Sequence, residues 1–519
     1  MLVNEFLENS AKNLPNKVAL VCQGKRYTFA QINTMANSLA QAFVAQGLQR
    51  QDRVGIHLEN SLESVVSIFA ALKAGGVFVV INPQVKPRKL GFILNDCQIK
   101  ILVTDSKHES DARETLGACP ALRSVILTDT NSNDSFSEII KAFQPIQPPI
   151  SCIDIDLASL IYTSGSTGNP KGVMLTHLNM VSAANSITEY LGNTPDDIIL
   201  DCLPLSFDYG LYQVLMAFKF GGRVILERAF VFPHQILDLV IKEKVTGFPL
   251  VPTISAILLQ LKNLNKYDFS TLRYFTNTAQ ALPPRHIFQL RELFPHVKLF
   301  SMYGLTECKR VAYLPPELVE KKPASVGKVM PNMEVYLVDE QGNKITQPNT
   351  PGELVIRGCH IMKGYWNQPE LTAQRLKQGT YGNEQVLYSN DLFKMDEEGY
   401  LYFISRKDDI IKTAGEMVSP KEVENVLYEL EDVIEAAVIG VPDEILGNAI
   451  KSFVVLSAGS QLTEKELILH CQKKLENFKV PKFIEFRQTL PKTTTGKISK
   501  RILIEGDILD TGTVPVDSE

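Results

Sequence analysis

No two of the eight cysteines form a C-x-x-C pair; they are scattered at 22, 97, 119, 152, 202, 308, 359 and 471. That spacing disfavours a disulfide framework or a zinc ribbon and leaves reduced, buried thiols as the expectation. The eight histidines are equally dispersed, with no H-E-x-x-H, so a dedicated transition-metal site has no support. A charge excess is missing too: 53 Lys plus Arg face 58 Asp plus Glu, a net charge of −5. Such a balance argues against a protein built to coat nucleic acid or anionic membrane. No apolar run reaches the roughly 20 residues of a membrane span. The longest, 65–81, is broken by Ser67, Lys73 and a Gly-Gly pair, and reads as a core helix running into a buried strand. The opening MLVNEFLENSAKNL has no basic-then-apolar signal, and VPVDSE is neither an anchor nor a peroxisomal address. The expectation is a cytoplasmic protein with no nucleic-acid or membrane partner.

What is present is enough apolar material for several cores. The 519 residues are 45% hydrophobic, which suggests two to four domains. Strand-like runs such as DRVGIHLEN (52–60), GVFVVINP (76–83) and IKILVTD (99–105) alternate with helical patterns such as SLESVVSIFAALKAG (61–75). That alternation predicts an α/β fold with largely parallel sheets. A second cycle runs from RVILE into FPHQILDLVIKEK. Between 331 and 364 the texture changes to short strands with turns, MEVYLVDEQGN and PGELVIRG. After Arg406 a polar run, KDDIIKTAGE, precedes the amphipathic SPKEVENVLYELE (419–431) and the strand AAVIGVPD. The expected layout is a large N-terminal domain over 1–407, its part at about 326–407 barrel-like, and a small α+β C-terminal domain over 408–519.

The strongest local signal is LASLIYTSGSTGNPKGVMLTHLNM (157–180). An apolar strand runs into Thr163, Ser164, Gly165, Ser166, Thr167 and Gly168, with Lys171 shortly after. Glycines let backbone N–H groups approach phosphate oxygens, hydroxyls donate further bonds, and the lysine adds positive charge. It is not a Walker A loop, because Ser or Thr does not follow the lysine at a helix start. A flexible linker is the bland alternative, opposed by the buried strand and the helix HLNMVSAANSITEYL that bracket it.

This segment resembles the signature loop of the adenylate-forming superfamily of acyl-CoA synthetases, peptide-synthesis adenylation domains and luciferases. The resemblance continues, in the family's order, through YGLTE (303–307), YSNDL (388–392), SRKD (405–408) and PKTTTGK (491–497). It implies ATP and Mg²⁺ as cofactors and formation of an acyl-adenylate with release of pyrophosphate. Glu307 then holds Mg²⁺, which prefers hard oxygen ligands, Thr306 bonds the α-phosphate, and Tyr303 and Gly304 lie beside adenine. Taken alone, YGLTE also reads as a helix start capped by Thr306. Asp391 and Arg406 are implied to hold the ribose, with Asn390 and Ser405 replacing the family's glycines. Thr278, Ala279 and Gln280 stand where a Gly-Gly-Ala-type turn is usual. Lys497 bridges carboxylate and α-phosphate as charge develops. The small domain is implied to be mobile, turning about Asp408 between adenylation and thioester formation, when the KTAGE loop (412–416) reaches the pantetheine channel.

LPLSFDYGLYQ (203–213) bears on the substrate. Fatty-acyl and aryl ligases usually carry an aromatic or His where this chain has Asp208, as amino-acid adenylation domains do. An isolated carboxylate in an apolar pocket needs a cation, so Asp208, with Tyr209 and Tyr212 as pocket walls, suggests a zwitterionic substrate. The other reading is an aspartate bonded to backbone donors at a helix start. The resemblance comes nearest to stand-alone L-prolyl–carrier-protein ligases, which implies proline and a phosphopantetheinylated acyl or peptidyl carrier protein as partners. The alternatives are an acyl-CoA synthetase for a small or fatty acid and, in a different class, a luciferase-like oxidoreductase.

Overall fold

The computed structural model describes residues 1–109, 119–130, 132, 135–149, 152–163, 170–413, 416–443, 445–493 and 497–511, with the side chains of 507–511 excepted. Two parallel-rich sheets carry the large domain. One has nine strands, in the order Lys328–Val329, Ala312–Leu314, Lys298–Tyr303, Tyr274–Asn277, Gly247–Leu250, Ile198–Asp201, Arg223–Leu226, Val18–Cys22, Lys25–Thr28. Its six inner strands pair in parallel, and the flanking strands are antiparallel. The other has seven strands, parallel from Leu157–Thr163 through Val77–Val80, Arg53–His57, Ile99–Thr104 and Ser124–Leu127. The run VFVV is buried at all four positions, as a parallel strand covered on both faces demands.

The segment 65–81 behaves as its interruptions predict. Helix Leu62–Lys73 starts on Ser61, whose hydroxyl accepts the Ser64 amide, and is buried almost throughout before the chain turns into Val77–Val80. Even Lys73 is buried; Glu8 Oε1 stands 2.8 Å from its ammonium and offsets the lost hydration. Among the described residues no helix is long and apolar enough to cross a membrane.

The barrel-like part takes the form of a six-stranded antiparallel sheet built on Met333–Val338, Gly352–Gly358 and Gln385–Met395, with Leu401–Arg406 against the last. The small C-terminal domain has a hairpin, Ile411–Thr413 with Glu416–Val418, and a three-stranded sheet. Its helices Pro420–Leu427 and Glu464–Lys474 cover an apolar cluster of its own, around Val423, Leu427, Val438, Val454 and Leu467. It sits on the large domain: Arg285 donates to the carbonyls of Leu430 and Glu431, both at 3.0 Å, and Ser419 donates to that of Ile404 at 2.7 Å.

Candidate active site

Strands Ile198–Asp201, Tyr274–Asn277 and Lys298–Tyr303 all end toward one rim of the nine-stranded sheet, where the candidate motifs begin. Crevices outside the carboxyl ends of parallel strands are where open α/β sheets bind ligands. In the other sheet Thr163 ends its strand and faces Lys171 across an antiparallel pair. The helix expected beyond the loop, HLNMVSAANSITEYL, forms over that whole stretch. The structure inserts the strand Lys171–Thr176 first, because its apolar residues pair with 157–163, and only then begins helix His177–Leu191 on a Thr176–Asn179 capping box. Ser164, Gly165, Ser166, Thr167 and Gly168 lie outside the described residues. Thr163 Oγ1 is buried without a hydrogen-bond partner among the described residues, the kind of orphan an incoming oxygen acceptor satisfies.

YGLTE does not open a helix. After Tyr303 the chain folds back so tightly that a Cβ on Gly304 would lie 1.8 Å from the Lys309 carbonyl oxygen, so only glycine fits there. Lys309 itself takes a left-handed φ of 70°. The turn exposes Thr306 partly and buries Glu307. Glu307 Oε1 accepts the Tyr365 hydroxyl at 2.7 Å and lies 3.7 Å from Lys171 Nζ, which also donates to Tyr365 at 3.2 Å. Burial acts to raise the Glu307 pKa, but Lys171, Arg375 and Tyr365 outweigh it and hold the carboxyl below its usual range. One ionised hard-oxygen ligand beside Lys171 fits Mg²⁺, which takes one or two carboxylates plus phosphate oxygens. Tyr365 and Arg375 are site residues the sequence reading missed. Both lie some sixty residues or more beyond the motif they support, and no local pattern marks them.

Asp391 is also buried. The Tyr303 hydroxyl donates to its Oδ2 at 2.5 Å, and Arg406 Nε stands 3.7 Å from Oδ1 across the strand pair. Burial raises the Asp391 carboxyl to about 6 against the pull of Arg406 and Tyr303. Asn390 takes φ 60°, the conformation for which asparagine substitutes for glycine. Its amide donates to Asp408 Oδ2 at 2.8 Å, tying this turn to the start of the small domain. Ser405 is buried and donates to the Arg406 carbonyl at 3.0 Å. At the end of Tyr274–Asn277, Thr278 Oγ1 is buried and unpartnered among the described residues, and Ala279 takes φ 75°. A non-glycine there costs about 1 kcal/mol, so this turn keeps the shape of a glycine turn without the glycine. Gln280 is half-buried and faces Lys421 and Tyr428 of the small domain.

Asp208 is the first residue of helix Asp208–Phe220, where the helix dipole favours a carboxylate, but it makes no capping bond among the described residues. The backbone-capped alternative is therefore not what the structure has. Nor is Asp208 isolated, which removes the need for a substrate cation beside it. Its charge acts on Lys309, which has Arg310 beside it, and on Lys497. Lys309 Nζ lies 5.2 Å from the Tyr212 ring and the Arg310 guanidinium 4.7 Å from the Tyr209 ring. Tyr209 and Tyr212 are fully buried, and the Tyr209 hydroxyl is engaged with Thr276. Lys497, near the chain's end, reaches across to place Nζ 5.7 Å from the Phe207 ring. Burial and Arg406 lower its pKa, while Asp208, Asp391 and Glu307 oppose them. Carboxylates from three distant motifs thus act on one lysine of the small domain.

The AMP-binding enzyme family model matches residues 7–366, and that of the AMP-binding enzyme C-terminal domain matches 422–497. The chain belongs to the AMP-binding enzyme family. The long-chain-fatty-acid–CoA ligase of Bacillus subtilis (strain 168) is 34% identical, the match covering 97% of this chain and 94% of that one. Two solved structures, each 28% identical, share the fold: ATP-bound MatB from Rhodopseudomonas palustris (TM-score 0.89, covering 98% of this chain and 99% of that one) and the anthranilate CoA ligase AuaEII with anthranoyl-AMP (TM-score 0.91, 99% and 98%). The AMP-binding enzyme described here is thus an AMP-forming acid–thiol ligase that activates a carboxylic acid with ATP and Mg²⁺.

Proposed function

We propose that this AMP-binding enzyme is an acyl-CoA ligase, and that its acyl-adenylate forms between Lys497, Lys171 and Thr306. The observation that carries the site assignment is Lys497 held over Phe207 at the start of helix Asp208–Phe220, where the charges of Asp208, Asp391 and Glu307 all act on it. CoA as acceptor is supported by the CoA ligases among its relatives. The acid's carboxylate and the α-phosphate are both anionic, so joining them needs preorganised cations. Lys497 lies between them. Thr163, Lys171 and the loop 164–169 hold the phosphates, Tyr303, Thr278 and Ala279 line the adenine, and Asp391 with Arg406 takes the ribose hydroxyls. Glu307 would hold Mg²⁺, which when bound neutralises phosphate charge. Once the adenylate exists, the small domain turns about Asp408, and the Asn390–Asp408 hydrogen bond is one contact this motion breaks.

The second reading, an amino acid such as L-proline loaded onto a carrier protein, keeps one observation in its favour: Asp208 is buried without a capping bond. Incubating the enzyme with ATP, Mg²⁺ and a panel of fatty, aryl and amino acids, then with CoA or a phosphopantetheinylated carrier, separates the two. Acyl-CoA is the expected thioester; thioester on the carrier alone overturns the CoA reading.

The ribose assignment predicts a pH dependence. Asp391 has a raised pKa of about 6, so it is ionised above that pH and takes a proton as pH falls through it. Only the ionised form accepts both ribose hydroxyls. KM for ATP should therefore rise between pH 7 and pH 5, and in Asp391→Asn it should be high and flat. A flat wild-type profile removes Asp391 from the ribose site.

A further inference from the structure

Lys309 and Arg310 follow the YGLTE turn and have no counterpart in the ATP chemistry. Lys309 is 1% exposed and Arg310 4% exposed. Among the described residues Lys309 Nζ has no hydrogen-bond acceptor, and Arg310 Nε has none either. The one hydrogen bond Arg310 makes among the described residues is long, 3.4 Å, from Nη1 to the Lys309 carbonyl. Buried ammonium and guanidinium groups left this way are expensive, and the turn that sets Lys309 in place is itself strained at φ 70°. Both cations project onto the first turns of helix Asp208–Phe220, over Tyr212 and Tyr209, on the side where Lys497 stands over Phe207. Asp208 is the one carboxylate of that helix start, and its charge acts on both Lys309 and Lys497.

We propose that Lys309 and Arg310 form the distal end of the acid-binding pocket and select a carboxylic acid carrying a second carboxylate. This rests on the ligase reading above and names its substrate class. An α-ammonium beside Asp208 would compete with Lys309 and Lys497 for the one carboxylate that acts on both. A second carboxylate instead supplies acceptors to the unpartnered Nζ and Nε, with the reacting carboxylate at Lys497. Lys497 Nζ stands over Phe207 and Lys309 Nζ over Tyr212, so the two ammonium groups meet different residues of the helix start, as the two ends of a diacid require. Burial outweighs Asp208 and brings Lys309 down to about 8, so it remains charged at neutral pH.

The test is ATP–pyrophosphate exchange with succinate, glutarate and adipate against butyrate, pentanoate and hexanoate, and with alanine and proline as a third arm. In wild type each diacid should exceed its monoacid partner by about 10²-fold or more in kcat/KM, because the monoacid leaves buried donors unpaired. Lys309→Met should lose most of that ratio, and Lys309→Arg should keep more of it. Wild-type preference for the monoacids or the amino acids overturns the proposal while leaving the ligase reading intact. Exchange with no acid of any arm overturns both. Should Lys309→Met fail to fold, the wild-type ratios alone decide.

Discussion

Lys497→Ala should abolish adenylate formation while leaving the fold intact. The side chain is only partly buried and makes no ion pair among the described residues, so its loss leaves the small domain's clusters around Val423 and Val454 untouched. What disappears is the positive charge that Asp208, Asp391 and Glu307 gather around. Removing one preorganised electrostatic contact costs about 10²–10³ in rate, and here the group lost is the one that meets both reacting anions. ATP–pyrophosphate exchange is the measurement. Thioester formation from a supplied acyl-adenylate should fall far less, since the small domain has by then turned away and Lys497 has left the site. Equal loss in both half-reactions would remove the two-conformation reading of the small domain. Full exchange by the mutant would remove Lys497 from the chemistry.

How far the sequence reaches is clearest residue by residue. Residues 65–81 read correctly, because burial on all sides leaves an apolar run and Ser61 supplies a helix cap. The motif order brought Lys171, Tyr303, Glu307, Asp391, Arg406 and Lys497 to one place on paper, and the structure brings them to one place in space. Local pattern failed where the partner is remote. The strand Lys171–Thr176 exists because 157–163 pairs with it, and nothing in KGVMLT alone says so. Tyr365 matters through its hydroxyl on Glu307, 58 residues away. Asp208 looked isolated because Lys309 and Arg310 lie about a hundred residues further on. Their direction is set by a left-handed turn and the Gly304 backbone contact, which sequence periodicity does not encode.

Asp208→Asn should destabilise the large domain, and increasingly so in acid. The substitution preserves shape and removes the charge that most opposes the burial penalty on Lys309. Breaking a buried charge interaction costs about 3–5 kcal/mol when the stranded partner must stay charged. Lys309 has an escape, because a lysine at about 8 sheds its proton at pH 7 for about 1.4 kcal/mol. Arg310 has no such escape. The lysine's share of the loss is therefore capped near 1.4 kcal/mol at pH 7, and the cap rises by the same amount for each unit of acidification. The sign follows from linkage: in the mutant the folded state holds Lys309 with a pKa depressed further, the unfolded chain binds more protons, and stability falls as pH falls. Urea midpoints from pH 8 to 5.5 should show a deficit that grows as pH drops. Asp208→Asn with Lys309→Met should recover much of it and flatten the profile, since no buried ammonium remains to be stranded. A single mutant within about 0.5 kcal/mol of wild type at every pH, or a double mutant worse than the sum of its parts, would show that Asp208 does not hold the charge on Lys309.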